Sequence, residues 1–185
     1  MSMKISLYIS ERDLKQFRKA MKGARAAAKD ADETDIVAAT REVMESLHPG
    51  ALPDFVRERL PRLQAMCSML EDEEWDLPTA ERLKLLSALI YFGDPEDLIP
   101  DDMPGLGYLD DAIMIELVLR ELRHVIEAYE DFCGFRDNYF RRFKVGTDAA
   151  TRRERIAARR EQLHERMLRR TRRDRETAAI PAPLW

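Results

Sequence analysis

The chain has few of the residues that build tight turns, disulfide frameworks or membrane spans. It has seven glycines and two cysteines among 185 residues, and no apolar run approaches the ~20 residues that a membrane-spanning helix needs. Its first residues lack the apolar core of a secretory signal peptide. Cys67 and Cys133 each lie among apolar residues in a helical pattern, which is typical of buried, reduced thiols. We therefore expect a cytoplasmic protein without a transmembrane helix.

The sequence also has few signatures of known enzymes. Phosphate-binding loops and zinc-ligand spacings are absent, and Gly105–Gly107 lacks the third glycine and the preceding strand of a dinucleotide fingerprint. Two Glu-x-x-His pairs, Glu121/His124 and Glu161/His164, have the spacing found in di-iron bundles, but such a site needs further glutamates on packed helices. These observations favour a non-catalytic protein and leave an enzyme of another type open.

The residues that are abundant predict helices. Hydrophobic residues make up 45% of the chain and charged residues 36%, and arginine, glutamate, leucine and alanine all favour helix. Ser10 and Asp13 form a variant of the capping box that begins a first helix. We predict an all-α, single-domain bundle of four to five helices over residues 10–143. Residues 1–9 are expected to form an arm or a short strand, and residues 144–185 a basic helical extension with a disordered tail.

Local signals predict several boundaries within this bundle. Pro61 falls inside an apolar helical pattern and is expected to kink or split it. Thr79 is expected to cap the next helix. A long helix is predicted from about Tyr108 to at least Phe132, and Gly134 is expected to break the helical pattern.

The net charge of −4 conceals a segregation of charge along the chain. Residues 71–111 carry 13 acids and two bases, whereas residues 144–177 carry 12 bases and six acids. Eleven arginines and no lysine lie between Arg152 and Arg175. The chain therefore has an acidic middle and a basic end.

The acidic middle contains a dense turn between two apolar segments. From Tyr91 to Asp111 it holds three prolines, three glycines and six aspartates: Asp94, Asp97, Asp101, Asp102, Asp110 and Asp111. Each aspartate has a capping or helix-dipole role available, and Pro95–Leu98 is predicted to form a one-turn helix. Alternatively, the converging carboxylates form a site for Mg²⁺, Ca²⁺ or Mn²⁺. The candidate metal ligands are Asp97, Asp101, Asp110 and Asp111, and no other cofactor is expected.

This turn resembles the signature of the YkvA-like family, a bacterial domain of unknown function. The family pattern P-x-D-L-I-P-D, followed by G-x-x-D-D-A, falls here on Pro95–Asp101 and Gly107–Ala112. The resemblance extends over about Leu83–Leu122. It implies a helical hairpin without an established activity, in a family whose members are often described as membrane proteins. Here charged residues such as Lys84 and Glu116 interrupt the apolar pattern of the two helices. We therefore expect that the hairpin does not insert into a membrane, and peripheral association with the membrane surface stays open.

The arginine-rich segment has three competing interpretations. Its polar pattern, with Ile156, Leu163 and Met167 on one face, is typical of a solvated helix with Glu/Arg pairs. Its arginines also suit an anionic lipid surface or a nucleic acid. Thirdly, they suit the acidic middle of this chain or of a second copy. The candidate binding residues are Arg152, Arg153, Arg159, Arg160, Arg169, Arg170, Arg172 and Arg173.

These features together favour a non-catalytic interaction or adaptor module of the YkvA-like type. The hairpin would present the acidic turn, and the arginine segment would contact a protein partner or the inner face of the membrane. One alternative is a divalent-metal-binding protein, hydrolytic or not, that uses the aspartate turn. Another is a nucleic-acid accessory protein that acts through the arginine segment, although that segment lacks stacking aromatic residues. The sequence does not determine the oligomeric state.

Overall fold

Eight helices account for nearly all of the chain that the computed structural model describes, which comprises residues 10–46, 54–93, 109–142 and 149–176, without the side chains of Phe55, Asp111, Arg142 and Arg175. Within these ranges there is no strand, and the predicted all-α, single-domain fold is confirmed. The helices are α1 (Glu11–Asp30), α2 (Glu33–Ser46), α3 (Asp54–Arg57), α4 (Leu60–Glu71), α5 (Thr79–Phe92), α6 (Leu109–Glu121), α7 (Arg123–Arg142) and α8 (Ala149–Glu176). The predicted arm at residues 1–9, the one-turn helix Pro95–Leu98 and the tail lie outside the described residues.

Two local predictions are confirmed near helix starts. The Ser10 hydroxyl accepts a hydrogen bond from the Asp13 N–H at 3.3 Å, and the Asp13 carboxylate accepts one from the Ser10 N–H at 2.9 Å, which completes the capping box of α1. Pro61 lies in the first turn of α4, just after a turn at residues 58–59 that separates α3 from α4. Because first-turn N–H groups have no partner within the helix, proline is tolerated there.

Other predicted boundaries are wrong. Thr79 does not cap α5: it is the first helical residue, and Pro78 precedes it without a side-chain hydrogen bond. The long helix predicted from Tyr108 is interrupted at Leu122, where α6 ends and α7 begins. No proline or glycine lies there, and Leu122 is buried in the core. The interruption therefore has no local sequence signal.

Gly134 does not break α7, contrary to expectation. The helix continues to Arg142, and Phe132, Phe135 and Tyr139 on either side of the glycine are buried or packed against the core. Glycine costs a helix about 1 kcal/mol relative to alanine, whereas burying one large apolar side chain gains about 1.5–3 kcal/mol. Packing therefore outweighs the local preference.

Helix α5 lies at the centre of the bundle. Helices α1, α2, α4 and α6 all pack on it, and every residue from Lys84 to Leu89 is buried. Met21 of α1, Leu63 of α4 and Val118 of α6 belong to the same buried cluster. A helix that is enclosed on all sides has no solvent face, which explains why α5 is more uniformly apolar than its neighbours.

Helix α8 packs on this bundle, so of the interpretations of the arginine-rich segment a fully solvated helix is excluded. It packs along α7, and its three apolar residues Ile156, Leu163 and Met167 are buried in the same cluster as the rest of the core. A narrow apolar stripe is sufficient for packing once a facing helix covers it.

We expect Leu163→Ala to lower the free energy of unfolding by about 2–5 kcal/mol, because it removes a fully buried side chain from the α7–α8 contact. Leu168→Ala is the matched control on the same helix: Leu168 is 49% exposed, so its effect should stay within about 0.5 kcal/mol. Urea denaturation followed by circular dichroism measures both. Equal, small effects would contradict the packing of α8 into the core.

Candidate functional site

The connection between α4 and α5 holds the two C-terminal helices against the rest of the bundle. Trp75 in this connection is fully buried. Its ring centroid lies 5.2 Å from that of Phe132 and 5.6 Å from that of Tyr129, both on α7. On the other side, His164 of α8 packs against the indole in an edge-on arrangement at 4.4 Å. One side chain therefore contacts both helices.

Asp72 organises the polar side of this contact. Its carboxylate accepts a hydrogen bond from the backbone N–H of Trp75 at 3.1 Å and another from the Tyr129 hydroxyl at 3.1 Å. Arg136 of α7 pairs with the same carboxylate at 2.8 Å. Burial, with smaller contributions from Cys133 and Asp72, raises the pKa of the Tyr129 phenol. The surroundings of the phenol thus favour its protonated form, in which it donates to Asp72.

Arginines of α8 contact the same acidic connection. Arg152 lies 3.3 Å from Glu74, which also pairs with Arg136 at 3.1 Å. Arg160 lies 3.6 Å from Asp76, a residue with a φ of 48° in the left-handed region that aspartate adopts more readily than most residues. These contacts support the interpretation in which the arginine segment docks on the acidic middle of its own chain.

The eight candidate arginines divide into two groups. Four of them contact other parts of this chain. Arg152 and Arg160 pair with acids as described above, and Arg170 pairs with Glu127 of α7 at 2.6 Å. Arg159 lies over the Phe135 ring, 5.7 Å from its centroid. The remaining four are exposed: Arg153, Arg169, Arg172 and Arg173. Within the described part of the chain, Arg153, Arg169 and Arg172 form no ion pair. The inner arginines thus contact α7 and the acidic connection, and the outer ones face solvent.

The structure describes only part of the aspartate turn. Asp97 and Asp101 lie outside the described residues, as does the side chain of Asp111. Asp110, at the start of α6, is 1% exposed. Within the described ranges, no three His, Cys, Asp or Glu side chains are grouped so that they could hold a metal ion. The divalent-metal site therefore stays a prediction.

The histidines of the two Glu-x-x-His pairs have different neighbours. His124 Nε2 lies 2.5 Å from the carboxylate of Asp174, near the end of α8. The hydrogen bond with His124, opposed by partial burial and assisted by Arg123, lowers the pKa of Asp174. His164 instead packs on Trp75. Each histidine thus contributes to the attachment of α8, one at its middle and one near its end.

Both cysteines are free, Cys67 buried and Cys133 half-buried. Burial raises the pKa of both thiols. Because the thiolate is the reactive form of cysteine, neither thiol is activated as a nucleophile. This agrees with the interpretation of both residues as packing groups.

A row of exposed cations on α1 was not among the binding residues predicted from the sequence. Exposed basic residues lie there three, four or seven positions apart, on the side opposite the buried residues: Arg12, Lys15, Lys19, Lys22 and Lys29. Their spacing was the available signal, because residues three and four apart share one face of a helix. The total charge of this region is modest, so the row does not stand out in composition.

Comparisons with known proteins find one family over the helical hairpin. Residues 81–117 match the family described as "Protein of unknown function (DUF1232)". The chain is also similar to "Uncharacterized membrane protein YkvA" of Bacillus subtilis (strain 168), with 38% identity over 48 residues. That match covers 26% of this chain and 45% of the relative, so the chain spans less than half the length of the curated relative. No solved structure matches the chain.

The resemblance to the YkvA-like family is therefore confirmed over α5 and most of α6. Within this segment, the Lys84 ammonium lies 2.9 Å from the Glu81 carboxylate, and both residues are buried. Lys84 interrupts the apolar pattern of α5, and pairing with Glu81 compensates much of the cost of burying its charge. None of the helices in the described ranges is both long enough and apolar enough to cross a membrane.

We expect Arg136→Met to destabilise the protein by about 2 kcal/mol, because it leaves the largely buried carboxylate of Asp72 without its cation. The side chains of this pair are 21% and 9% exposed. The matched control is Arg62→Met, which removes a pair with Glu130 that spans 3.9 Å between side chains 56% and 64% exposed. That control should cost less than about 0.5 kcal/mol. Chemical denaturation of both variants distinguishes them, and similar losses would argue against a special role for Asp72.

We also expect His164 to make the fold sensitive to mild acid. Burial, followed by the charge of Arg160, lowers the pKa of His164 in the folded protein, whereas an unfolded histidine titrates near about 6.5. Above this pH both states are neutral. As the pH falls below it, the unfolded state gains protons first and the free energy of unfolding decreases.

The variant His164→Phe keeps a ring against Trp75 and removes the titrating group. We expect it to reduce the loss of stability between about pH 7 and about pH 5.5, by less than about 1 kcal/mol because His164 is only partly buried. Denaturation curves at both pH values measure the difference. An unchanged pH dependence would show that other groups cause the acid sensitivity.

Proposed function

We propose that this protein is a non-catalytic interaction module that associates peripherally with an anionic membrane surface. The contact is made by the α8 tip, which we define as Leu168, Arg169 and Arg172. The observation that carries this proposal is the exposure of Leu168, 49%, beside two exposed arginines that form no ion pair within the described ranges. Leu168 and Arg172 are one helical turn apart and so share a face.

Charge distribution along α8 supports this assignment. The arginines that face α7 and the acidic connection are neutralised by acids of this chain, among them Glu74, Asp76 and Glu127. Within the described ranges, the exposed arginines of the tip form no ion pair with an acid and remain available to an external anion. A basic residue near an anionic bilayer gains about 1 kcal/mol, and a neighbouring apolar side chain adds area that lipid can cover.

The comparison and the hairpin favour surface contact over insertion. The relative is called a membrane protein, which supports a membrane as the partner. In this chain, α6 exposes Glu116 and Arg120, and α5 buries the charged pair of Glu81 and Lys84. Charged side chains on both helices of the hairpin are costly in a lipid interior. A protein folded in this way is suited to the membrane surface, where it would hold a partner protein nearby.

The proposal predicts binding of the full chain to phosphatidylcholine vesicles that contain phosphatidylglycerol, and little binding to phosphatidylcholine alone. We expect Leu168→Ser combined with Arg169→Gln and Arg172→Gln to weaken binding by at least about 25-fold, because each arginine contributes about five-fold. Vesicle co-sedimentation measures the partition coefficient.

The matched control is Arg153→Gln combined with Arg155→Gln, which removes two exposed arginines from the opposite end of the same helix. It should bind nearly as well as the wild type. An equal loss in the control would show that total charge, and not the α8 tip, determines binding. Failure of the wild type to bind anionic vesicles would refute the proposed function.

A further inference from the structure

Helix α1 carries a row of cations on the face that points away from the bundle. Its buried residues Phe17, Met21, Ala24 and Ala28 lie against the core. At 3.6 residues per turn, five cations fall within an arc of about 100° on the opposite side of the helix. These residues, the α1 row, are Arg12, Lys15, Lys19, Lys22 and Lys29, and all five are exposed.

The α1 row has an excess of cations over acids: the exposed acids Glu11 and Asp30 lie on the same arc of the helix as its five cations. Within the described part of the chain, none of its five residues forms an ion pair, and α1 contributes to one such pair, between Arg18 and Glu11 at 3.5 Å. The helix contains seven cations and three acids. On α8, by contrast, acids of α7 and of the acidic connection neutralise the inward arginines. The α1 row therefore presents its charge to solvent.

The geometry of the row suits an extended anionic surface. Arg12 and Lys29 are 17 positions apart, which places them about 26 Å apart along the helix axis. Gly23 and Ala26 lie on the same face, and nothing stands within 4 Å of the position that a Gly23 side chain would occupy. Because the residues between the lysines are small, the long, flexible lysine side chains can extend away from the helix. A flat surface can therefore meet all five cations at once.

We propose that the α1 row is a second contact for anionic phospholipid headgroups. This inference rests on the proposed function, because both name an anionic membrane as the partner. It differs in placing a membrane contact on α1 and not on α8. Lysine is a flexible point charge that suits headgroup phosphates without a fixed geometry, and clusters of four to eight basic residues on an amphipathic helix are typical of binding to anionic lipids. The membrane relative supports the same partner.

A nucleic acid fits the α1 row less well. Sequence readout by a helix in the major groove depends on amide and hydroxyl side chains as well as on cations, and α1 contains one residue of that kind, Gln16. Binding to single strands depends on aromatic side chains that stack on bases, and the one aromatic residue of α1, Phe17, is buried. The lipid surface is therefore the partner that the row favours.

The test uses the full chain with Lys15→Gln, Lys19→Gln and Lys22→Gln combined, on vesicles of phosphatidylcholine and phosphatidylglycerol. At about five-fold for each lysine, we expect binding to weaken on the order of 100-fold. The same three positions changed to arginine retain the charge and should bind like the wild type. Circular dichroism should show the same helical content and melting temperature for all variants, because the changed side chains are exposed.

A dispersed control separates the α1 row from total charge. Arg120→Gln, Arg141→Gln and Arg155→Gln make the same change in net charge at exposed positions on α6, α7 and α8, and this variant should lose little affinity. Equal losses in the two triple variants would overturn the inference, as would unchanged binding of the lysine variant. Tighter, salt-dependent binding of duplex DNA through the same lysines would also overturn it and assign the row to nucleic acid.

The outcomes for the two helices are separable. If the α8-tip variant loses vesicle binding and the lysine variant does not, the inference fails and the proposed function stands. If the lysine variant alone loses binding, the α1 row is the membrane contact and the assignment to the α8 tip fails.

Discussion

The attachment of α7 and α8 to the bundle depends on the burial of Trp75. Its indole occupies the space between Phe132 and Tyr129 on one helix and His164 on the other. Asp72 fixes the backbone at Trp75 by accepting a hydrogen bond from its backbone N–H, and Arg136 balances the charge of Asp72. A short acidic connection therefore supplies both an apolar contact and a polar one, and each has its partners on the C-terminal helices.

This arrangement explains how a strongly charged chain forms one domain. Acids of the connection and of α7 face arginines of α8, so charges that are far apart in sequence neutralise each other across the contact. Because such pairs contribute little at exposed positions, burial of Ile156, Leu163 and Met167 supplies most of the stabilisation. The ion pairs instead occupy the arginines that face α7 and the acidic connection. The arginines outside these pairs face solvent, and those of the α8 tip belong to the surface that we assign to membrane contact.

The family resemblance and the proposed surfaces lie on different parts of the molecule. The matched segment forms the central helix α5 and its neighbour α6, around which α1, α2 and α4 pack. The α1 row and the α8 tip lie outside this segment. The family match thus lies on the central helices of the bundle, and the charges that we assign to a partner lie on α1 and α8.

Local sequence rules determined much of the fold. Helical periodicity predicted an all-α domain, the Ser10 capping box predicted the start of α1, and Pro61 predicted the break before α4, because each of these effects acts within a few residues. Sequence also revealed the basic end and the aspartate turn. Of the metal ligands predicted there, only the side chain of Asp110 lies in the described residues.

Tertiary structure decided what local rules could not. The continuity of α7 through Gly134, the packing of α8 and the division of its arginines into paired and outward groups all depend on residues distant in the chain. Three apolar residues on one face of a helix do not show whether that face is solvated or covered by a neighbouring helix. The side chains that α7 and Trp75 place opposite α8 determine which of these states it adopts, because burial depends on what lies opposite and not on the helix alone.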